Sequence, residues 1–437
     1  MNLSKYAAVI QAGGEGKRMA SLTHNEIPKP LLRINNKPLI EWQIEDISRF
    51  GIKKFVIILG HLGYLIKEYF GKGEDLGVSI EYIEENEPLG SAGALFYLKE
   101  KNIYSNYIFI FCDVMIRIDW NRVFMFHENK QAVVTLLAHP NSHPYDSDLL
   151  ILDSDSEVIG IDSKDNKRDY WYENCVNAGI YIFKKELLDS ISMLQKCDFE
   201  KDILAPLLGK RLVFGYITSE YVKDVGTPDR FVDAVYEQSS GVWETKCLTN
   251  PQKCVFLDRD GTINKFKGLI YKEEDFELED YVCEAIKRIN QSGFLAIVVT
   301  NQPAVARGLC SIEDINNIHK KMVTLLGNGG AYLDDIIFCP HHPDRGFPGE
   351  NTTYKISCKC RKPGTGMIEI MTQKHNIDIS NSYIIGDSSL DIQTGINIGL
   401  KTILLKTGVA GNDGKYQVRP DFIEDNLLTA VNLILGV

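Results

Sequence analysis

Asp258 and Asp260 stand two residues apart, are followed by Gly261-Thr262, and come directly after the apolar run Val255-Phe256-Leu257. A buried strand would carry both carboxylates to its C-terminal end, where open α/β sheets place their ligands. Acids so placed bind a hard cation. They can also divide phosphoryl chemistry, one attacking phosphorus while the other exchanges protons with the leaving oxygen. Taken alone, the pair is equally compatible with an Asp-rich turn. Three further groups weigh against that. Thr300-Asn301 closes the run Val298-Val299 with a hydroxyl and an amide for phosphate oxygens, Arg361-Lys362 brings cations for the phosphoryl charge, and Gly386-Asp387 through Asp391 adds acids that would complete a magnesium site.

Cys339-Pro340-His341 and Cys358-Lys359-Cys360 are two short pairs of soft or borderline ligands. That set suits tetrahedral zinc in a structural role, ordering a stretch rich in Pro, Gly and Asn. Clustered reduced thiols are the alternative, and His342 competes with His341 as a ligand.

The first half carries a second set. Ala12-Gly13-Gly14-Glu15-Gly16-Lys17-Arg18 follows the strand-like Ala7 to Gln11, and its glycines would let backbone N–H groups approach a phosphate or a base. The spacing excludes both the dinucleotide fingerprint and the P-loop. Lys29 is held between Pro28 and Pro30, a rigid setting for a point charge. Gly90-Ser91-Ala92-Gly93 offers another close approach. Asp113 after Ile108 to Phe111, and Asp224 in Asp224-Val225-Gly226-Thr227-Pro228, are acids placed to share a metal.

Positioning these groups takes two α/β sheets. Strand-like runs at Ala7–Gln11, Phe55–Leu59, Ile80–Tyr82, Ile108–Phe111 and Val133–Ala138 alternate with helix-like stretches. A second series follows at Cys254–Leu257, Ala296–Thr300, Asp335–Cys339, Tyr383–Ile385 and Thr402–Leu405. Gln238-Ser239-Ser240-Gly241 closes a helical stretch, and Thr249-Asn250-Pro251 precedes the second series. The expected domains are therefore 1–238 and 251–437, with 239–250 as a linker.

A chain of 437 residues exceeds what one core usually supports. A net charge of −11 argues against a nucleic-acid partner, whose binding needs clustered Lys and Arg, and leaves small phosphorylated ligands that arrive with magnesium. No apolar run approaches a membrane span or leaves room for a signal peptide, so a cytoplasmic location away from membranes is expected. Most of the ten cysteines stand singly in apolar contexts, as reduced core thiols do. Homo-oligomer formation is left open.

The second half resembles the haloacid dehalogenase superfamily, whose four motifs match Asp258-x-Asp260-Gly261-Thr262, Thr300, Lys362 and Gly386-Asp387 through Asp391. The resemblance implies a parallel sheet, an aspartyl-phosphate on Asp258, and Asp260 as general acid and base. It implies magnesium on Asp258, the carbonyl of Asp260, and Asp387, with Thr300 and Lys362 stabilising the transferring group. The cysteine loop narrows it to the histidinol-phosphate and heptose bisphosphate phosphatases. Asn301-Gln302 and Ala306-Arg307-Gly308 look more like the heptose branch, where Asn301, Arg307, Arg361 and Lys362 would hold substrate. Pro303-Ala304-Val305 departs from that branch.

The first half resembles the sugar-1-phosphate nucleotidyltransferases, particularly the mannose and heptose 1-phosphate guanylyltransferases, over essentially all of residues 1 to 237. That implies a Rossmann-like mixed sheet of the GT-A type. Nucleotide would lie on Ala12, Gly13, Gly14, Gly16, Arg18 and Gly90, with Arg18 and Lys29 offsetting developing charge and Asp113 and Asp224 holding magnesium. Asn177 of Asn177-Ala178-Gly179 would meet the sugar phosphate. Cys112 and Ser91 depart from the usual Gly and Thr, and Lys164 or Lys201 would replace a missing sugar-site cation. Guanine preference comes from the resemblance alone.

Together the halves imply two successive steps. One removes the 7-phosphate of D-glycero-D-manno-heptose 1,7-bisphosphate, and the other transfers GMP from GTP to the 1-phosphate. The rivals are a mannose-1-phosphate guanylyltransferase joined to a histidinol-phosphate phosphatase, and a catalytically silent sugar-nucleotide sensor.

Overall fold

The computed structural model describes residues 3–101 and 103–437. Its strands, in chain order, are β1 (Tyr6–Ala12), β2 (Arg33–Ile34), β3 (Lys37–Pro38), β4 (Lys54–Leu59), β5 (Ser79–Glu84), β6 (Asn106–Phe111), β7 (Val114–Arg117), β8 (Val134–His139), β9 (Leu149–Leu152), β10 (Val158–Asp162), β11 (Val176–Lys184), β12 (Val213–Ile217) and β13 (Tyr221–Asp224), then β14 (Cys254–Leu257), β15 (Leu295–Asn301), β16 (Asp335–Cys339), β17 (Tyr383–Gly386), β18 (Lys401–Leu405) and β19 (Phe422–Glu424). All ten strands expected from the sequence are present.

The chain divides into two compact units. The first comprises residues 1–139, 148–163 and 175–247, and the second comprises 140–147, 164–174 and 248–437. Two short excursions from the first half of the sequence therefore belong with the second unit. The stretch 239–250 is partly folded: Val242–Thr245 is a helix, and its buried Trp243 packs edge-on to Trp42 and stacks on Tyr221.

In the first unit, nine strands form a mixed sheet ordered β10-β9-β11-β6-β1-β4-β5, with β8 joining β11 and β12. β1, β4, β5 and β6 run parallel, whereas β11 is antiparallel to β6 and β8. Alternation along β1 supplies both faces. Ala8, Ile10 and Ala12 enter one core while Ala7 and Val9 enter the other. Because Gln11 pairs with Ile58 and with Phe111, the glycine loop after β1 and Asp113 after β6 emerge at one edge. A separate ribbon pairs Asp224 of β13 with Val114 of β7, bringing the second acid there.

The second unit's sheet is parallel throughout, in the order β16-β15-β14-β17-β18-β19. Val255 and Leu257 face one core, and Cys254 and Phe256 the other. Leu257 pairs with Val298 and Ile385, which sets Asp258, Thr300 and Asp387 level at the carboxyl edge. The helix Ser389–Ile398 begins there on a capping box in which Ser388 and Asp391 satisfy each other's backbone, so Asp391 is drawn back toward the strand ends.

Candidate active sites

In the first unit a cavity of about 560 Å³ opens at the carboxyl edge of β1 and β6. Gly13, Gly14, Gly16, Arg18, Lys29, Gly90 and Asp113 line it. Ala12 is the buried last residue of β1 behind the loop. Lys29 is nearly buried, and its Nζ lies 2.6 Å from Asp113 Oδ2. Asp224 accepts from Arg230 at 2.6 Å and from the Gly226 amide at 2.6 Å. A Cβ on Gly226 would lie 2.7 Å from Asp224 Oδ1, 3.0 Å from Arg18 Nη2 and 3.5 Å from Asp113 Oδ2, so the two acids and the arginine converge where only a hydrogen leaves room. Two carboxylates set against Arg18 and Lys29 can hold a hard cation between phosphate groups. Gly226→Ala is therefore expected to lower pyrophosphate release from a nucleoside triphosphate by about tenfold or more while phosphate release is unchanged, which steady-state assays of both products check.

Met19, Pro88, Phe111, Gln11 and Glu85 also line the cavity and were not expected there. Gln11 and Glu85 each place an Oε1 in buried surroundings without a protein hydrogen-bond partner. The only sequence signal was Gln11 as a polar residue inside the apolar run of β1. Asn177, Lys201 and Lys164, expected to meet the sugar phosphate, are not on the cavity wall. The Asn177 amide donates to Tyr181 on its own strand and, at 2.6 Å, to Glu200 in the helical turn Phe199–Leu204. Lys201 is exposed on the turn capped by Asp198. Lys164, also exposed, belongs to the second unit. Burial pushes the Cys112 thiol up to about 12, so it stands beside Asp113 as a neutral group.

In the second unit Lys362 Nζ lies 2.6 Å from Asp258 Oδ1 and 2.5 Å from Asp391 Oδ1, all three side chains being buried. Carboxylate oxygens of Asp258, Asp387 and Asp391 fall within 4.8 Å of one another. Burial pushes Asp258 up to about 6 against the pull of Lys362, with Asp391 adding to the rise. Burial, then Asp258 and Asp391, raise Asp387 to about 8. Burial disfavours the Lys362 ammonium, but the two acids outweigh it and hold its pKa above the ordinary value. Three acids against one ammonium leave a dry site short of positive charge, which a divalent cation would supply. A Cβ on Gly261 or Gly408 would collide with Asp387 Oδ2, so both positions are closed to larger residues.

The Asp260 side chain turns instead toward Arg259 and Gln302. Thr300 is buried at the strand end and accepts from Gln302 at 3.0 Å. Asn301 exchanges two hydrogen bonds with the Lys362 backbone, 3.0 and 3.1 Å, so its amide fixes the lysine loop rather than reaching into the site. Arg361 donates to the His341 carbonyl at 3.2 Å, and Arg307 lies over the Phe347 ring at 4.6 Å.

Cys339, His341, Cys358 and Cys360 converge, their Sγ and Nδ1 atoms 3.1 to 3.6 Å apart along five edges. A tetrahedral zinc with Zn–S near 2.3 Å would set edges of about 3.7 Å, so the donor set fits a metal. His342 accepts from the Asp344 amide instead and stays outside the cluster.

A model of the nucleotidyl transferase family matches residues 7–240. The chain belongs to that family. A HAD-hydrolase-like model matches residues 359–430. Across the second half, the D-glycero-beta-D-manno-heptose-1,7-bisphosphate 7-phosphatase of Photorhabdus laumondii is 39% identical over 44% of this chain and 99% of its own length. The D-glycero-alpha-D-manno-heptose-1,7-bisphosphate 7-phosphatase of the same organism is 36% identical over 42% of this chain and 98% of its own. Across the first half, the D-glycero-alpha-D-manno-heptose 1-phosphate guanylyltransferase of Aneurinibacillus thermoaerophilus is 31% identical over 53% of this chain and 97% of its own. The chain thus joins a nucleotidyltransferase to a HAD-type phosphatase, and both family assignments drawn from the motifs hold. Among the described residues no helix is long and apolar enough to cross a membrane.

Proposed function

We propose that this bifunctional enzyme performs two successive steps toward an activated heptose, in the cytoplasm where GTP and magnesium are supplied. One observation carries the reading. The relatives of the second half are named for removing the phosphate that would leave a heptose 1-phosphate, and the relative of the first half is named for activating that compound. The α anomer of the bisphosphate is the substrate on this reading, because the guanylyltransferase relative and one of the two phosphatase relatives are named for the α form.

In the phosphatase step Asp258 attacks the 7-phosphate and Asp260 exchanges the proton. Lys362 and Thr300 hold the transferring group, and Arg307 and Arg361 carry positive charge for the rest of the substrate. Asp258, Asp387 and the Asp260 carbonyl hold magnesium, which supplies charge stabilisation to the phosphoryl group. In the transferase step the glycine loop and Gly90 hold GTP, Asp113 and Asp224 hold magnesium, and Arg18 and Lys29 balance charge developing at the α-phosphorus. Initial rates of phosphate release from α- and β-heptose 1,7-bisphosphate and from histidinol phosphate test the substrate. We expect the α anomer to be fastest, and a preference for histidinol phosphate would overturn the reading.

Cys339, His341, Cys358 and Cys360 hold a structural zinc. Cys358→Ser is expected to lose one zinc by elemental analysis, lower the unfolding temperature of the phosphatase unit and leave GMP transfer intact.

A further inference from the structure

We propose that Arg259 is a positioning residue that, with Gln302 and Asn264, fixes the Asp260 carboxyl for both of its proton transfers. This rests on the phosphatase reading above.

Arg259 lies between the two acids of the motif and is 0% exposed. An ion so deep is costly unless its hydrogen bonds are met. They are met largely by Asp260. Arg259 Nε and Nη2 lie 3.2 and 2.9 Å from Oδ1, and Nη2 lies 3.0 Å from Oδ2. The Asn264 amide donates to Oδ1 at 3.1 Å, and the Gln302 amide donates to Oδ2 at 2.8 Å. Gln302 Oε1 accepts from Arg259 at 3.0 Å, and the far Nη1 meets His319 Nε2 at 3.4 Å. Arg259 and Asn264 from the loop after β14, and Gln302 from just beyond β15, thus fix both oxygens of Asp260, and the planar fork of Arg259 determines the carboxyl's tilt. None of them donates to Asp258, whose Oδ1 pairs with Lys362. Arg259 therefore sorts two neighbouring acids into different roles.

In the first half-reaction the bond from phosphorus to the sugar oxygen breaks, a bond to Asp258 forms, and the proton on Asp260 passes to the leaving oxygen. In the second, a water oxygen attacks phosphorus, its proton passes to Asp260, and the bond to Asp258 breaks. p-Nitrophenolate leaves without a proton, so with p-nitrophenyl phosphate only the second half-reaction needs Asp260. A general packing defect would not distinguish the two.

The test is stopped-flow mixing of Arg259→Met, Arg259→Lys and Gln302→Met with p-nitrophenyl phosphate and magnesium, with acid-quench trapping of the aspartyl-phosphate. We expect an initial release of one nitrophenolate per site at close to the unaltered rate, then turnover slowed by about a hundredfold with phosphoenzyme accumulating. KM should change little, and Arg259→Lys should recover part of the loss. Gln302→Met reads the same quantity should Arg259→Met fail to fold. Release and turnover falling in parallel, with no trapped phosphoenzyme, would overturn the proposal. If the unaltered chain neither released nitrophenolate nor trapped phosphate, the phosphatase reading itself would fail and this inference with it.

Discussion

Asp258→Asn is expected to abolish phosphate release, by about four orders of magnitude or more, while GMP transfer to heptose 1-phosphate continues at its normal rate. The amide is nearly isosteric but cannot attack phosphorus, and it accepts only weakly from Lys362, which lies 2.6 Å from Asp258. The same change should not weaken the fold. Asp258 is raised from an ordinary value of 3.8 to about 6, so above pH 6 the folded, metal-free unit holds a charge that burial disfavours. That cost is absent below about pH 4, grows between about pH 4 and 6, stays constant above that, and is removed by the amide. Differential scanning calorimetry without magnesium should therefore show the variant unfolding no lower than the unaltered chain at pH 8. A large loss of unfolding temperature would mean that Asp258 supports the fold.

Asp113→Asn is expected to do the reverse, lowering pyrophosphate release by about a thousandfold or more and leaving phosphate release unchanged. Here stability should move the other way. Lys29 is nearly buried and its ammonium pairs with Asp113 at 2.6 Å, so an amide leaves a desolvated cation without its counter-charge. A lower unfolding temperature confined to the first unit is the expected sign. Parallel assays of both products on both variants check the two predictions together, and loss of both activities in either variant would contradict two independent sites.

The phosphatase centre was legible because its chemistry sits on strand ends. An apolar run that stops at Asp258, Thr300 or Asp387 announces both the strand and its functional terminus, and parallel pairing of β14, β15 and β17 brings them level. The cysteine loop was legible from its two pairs. The antiparallel half of the first sheet was not. β9 to β12 are short or interrupted, and Gly179, with φ +68°, breaks the register of β11 against β8 just beside Asn177. That break turns Asn177 toward Tyr181 and Glu200, which a local motif cannot convey. Partners distant in sequence were equally hidden. Nothing near Arg259 foretells Gln302 or His319, and nothing near Gly13 foretells Glu85. The excursions at 140–147 and 164–174 carry no compositional mark that assigns them to the second unit.

The most direct test of the two-step account is a phosphorus NMR time course of the unaltered chain with α-heptose 1,7-bisphosphate, GTP and magnesium. The account predicts that the 7-phosphate signal falls first, that heptose 1-phosphate rises transiently, and that nucleotide sugar and pyrophosphate then appear in equal amounts. Heptose 1-phosphate that accumulates without nucleotide sugar, or nucleotide sugar that still carries the 7-phosphate, would contradict it.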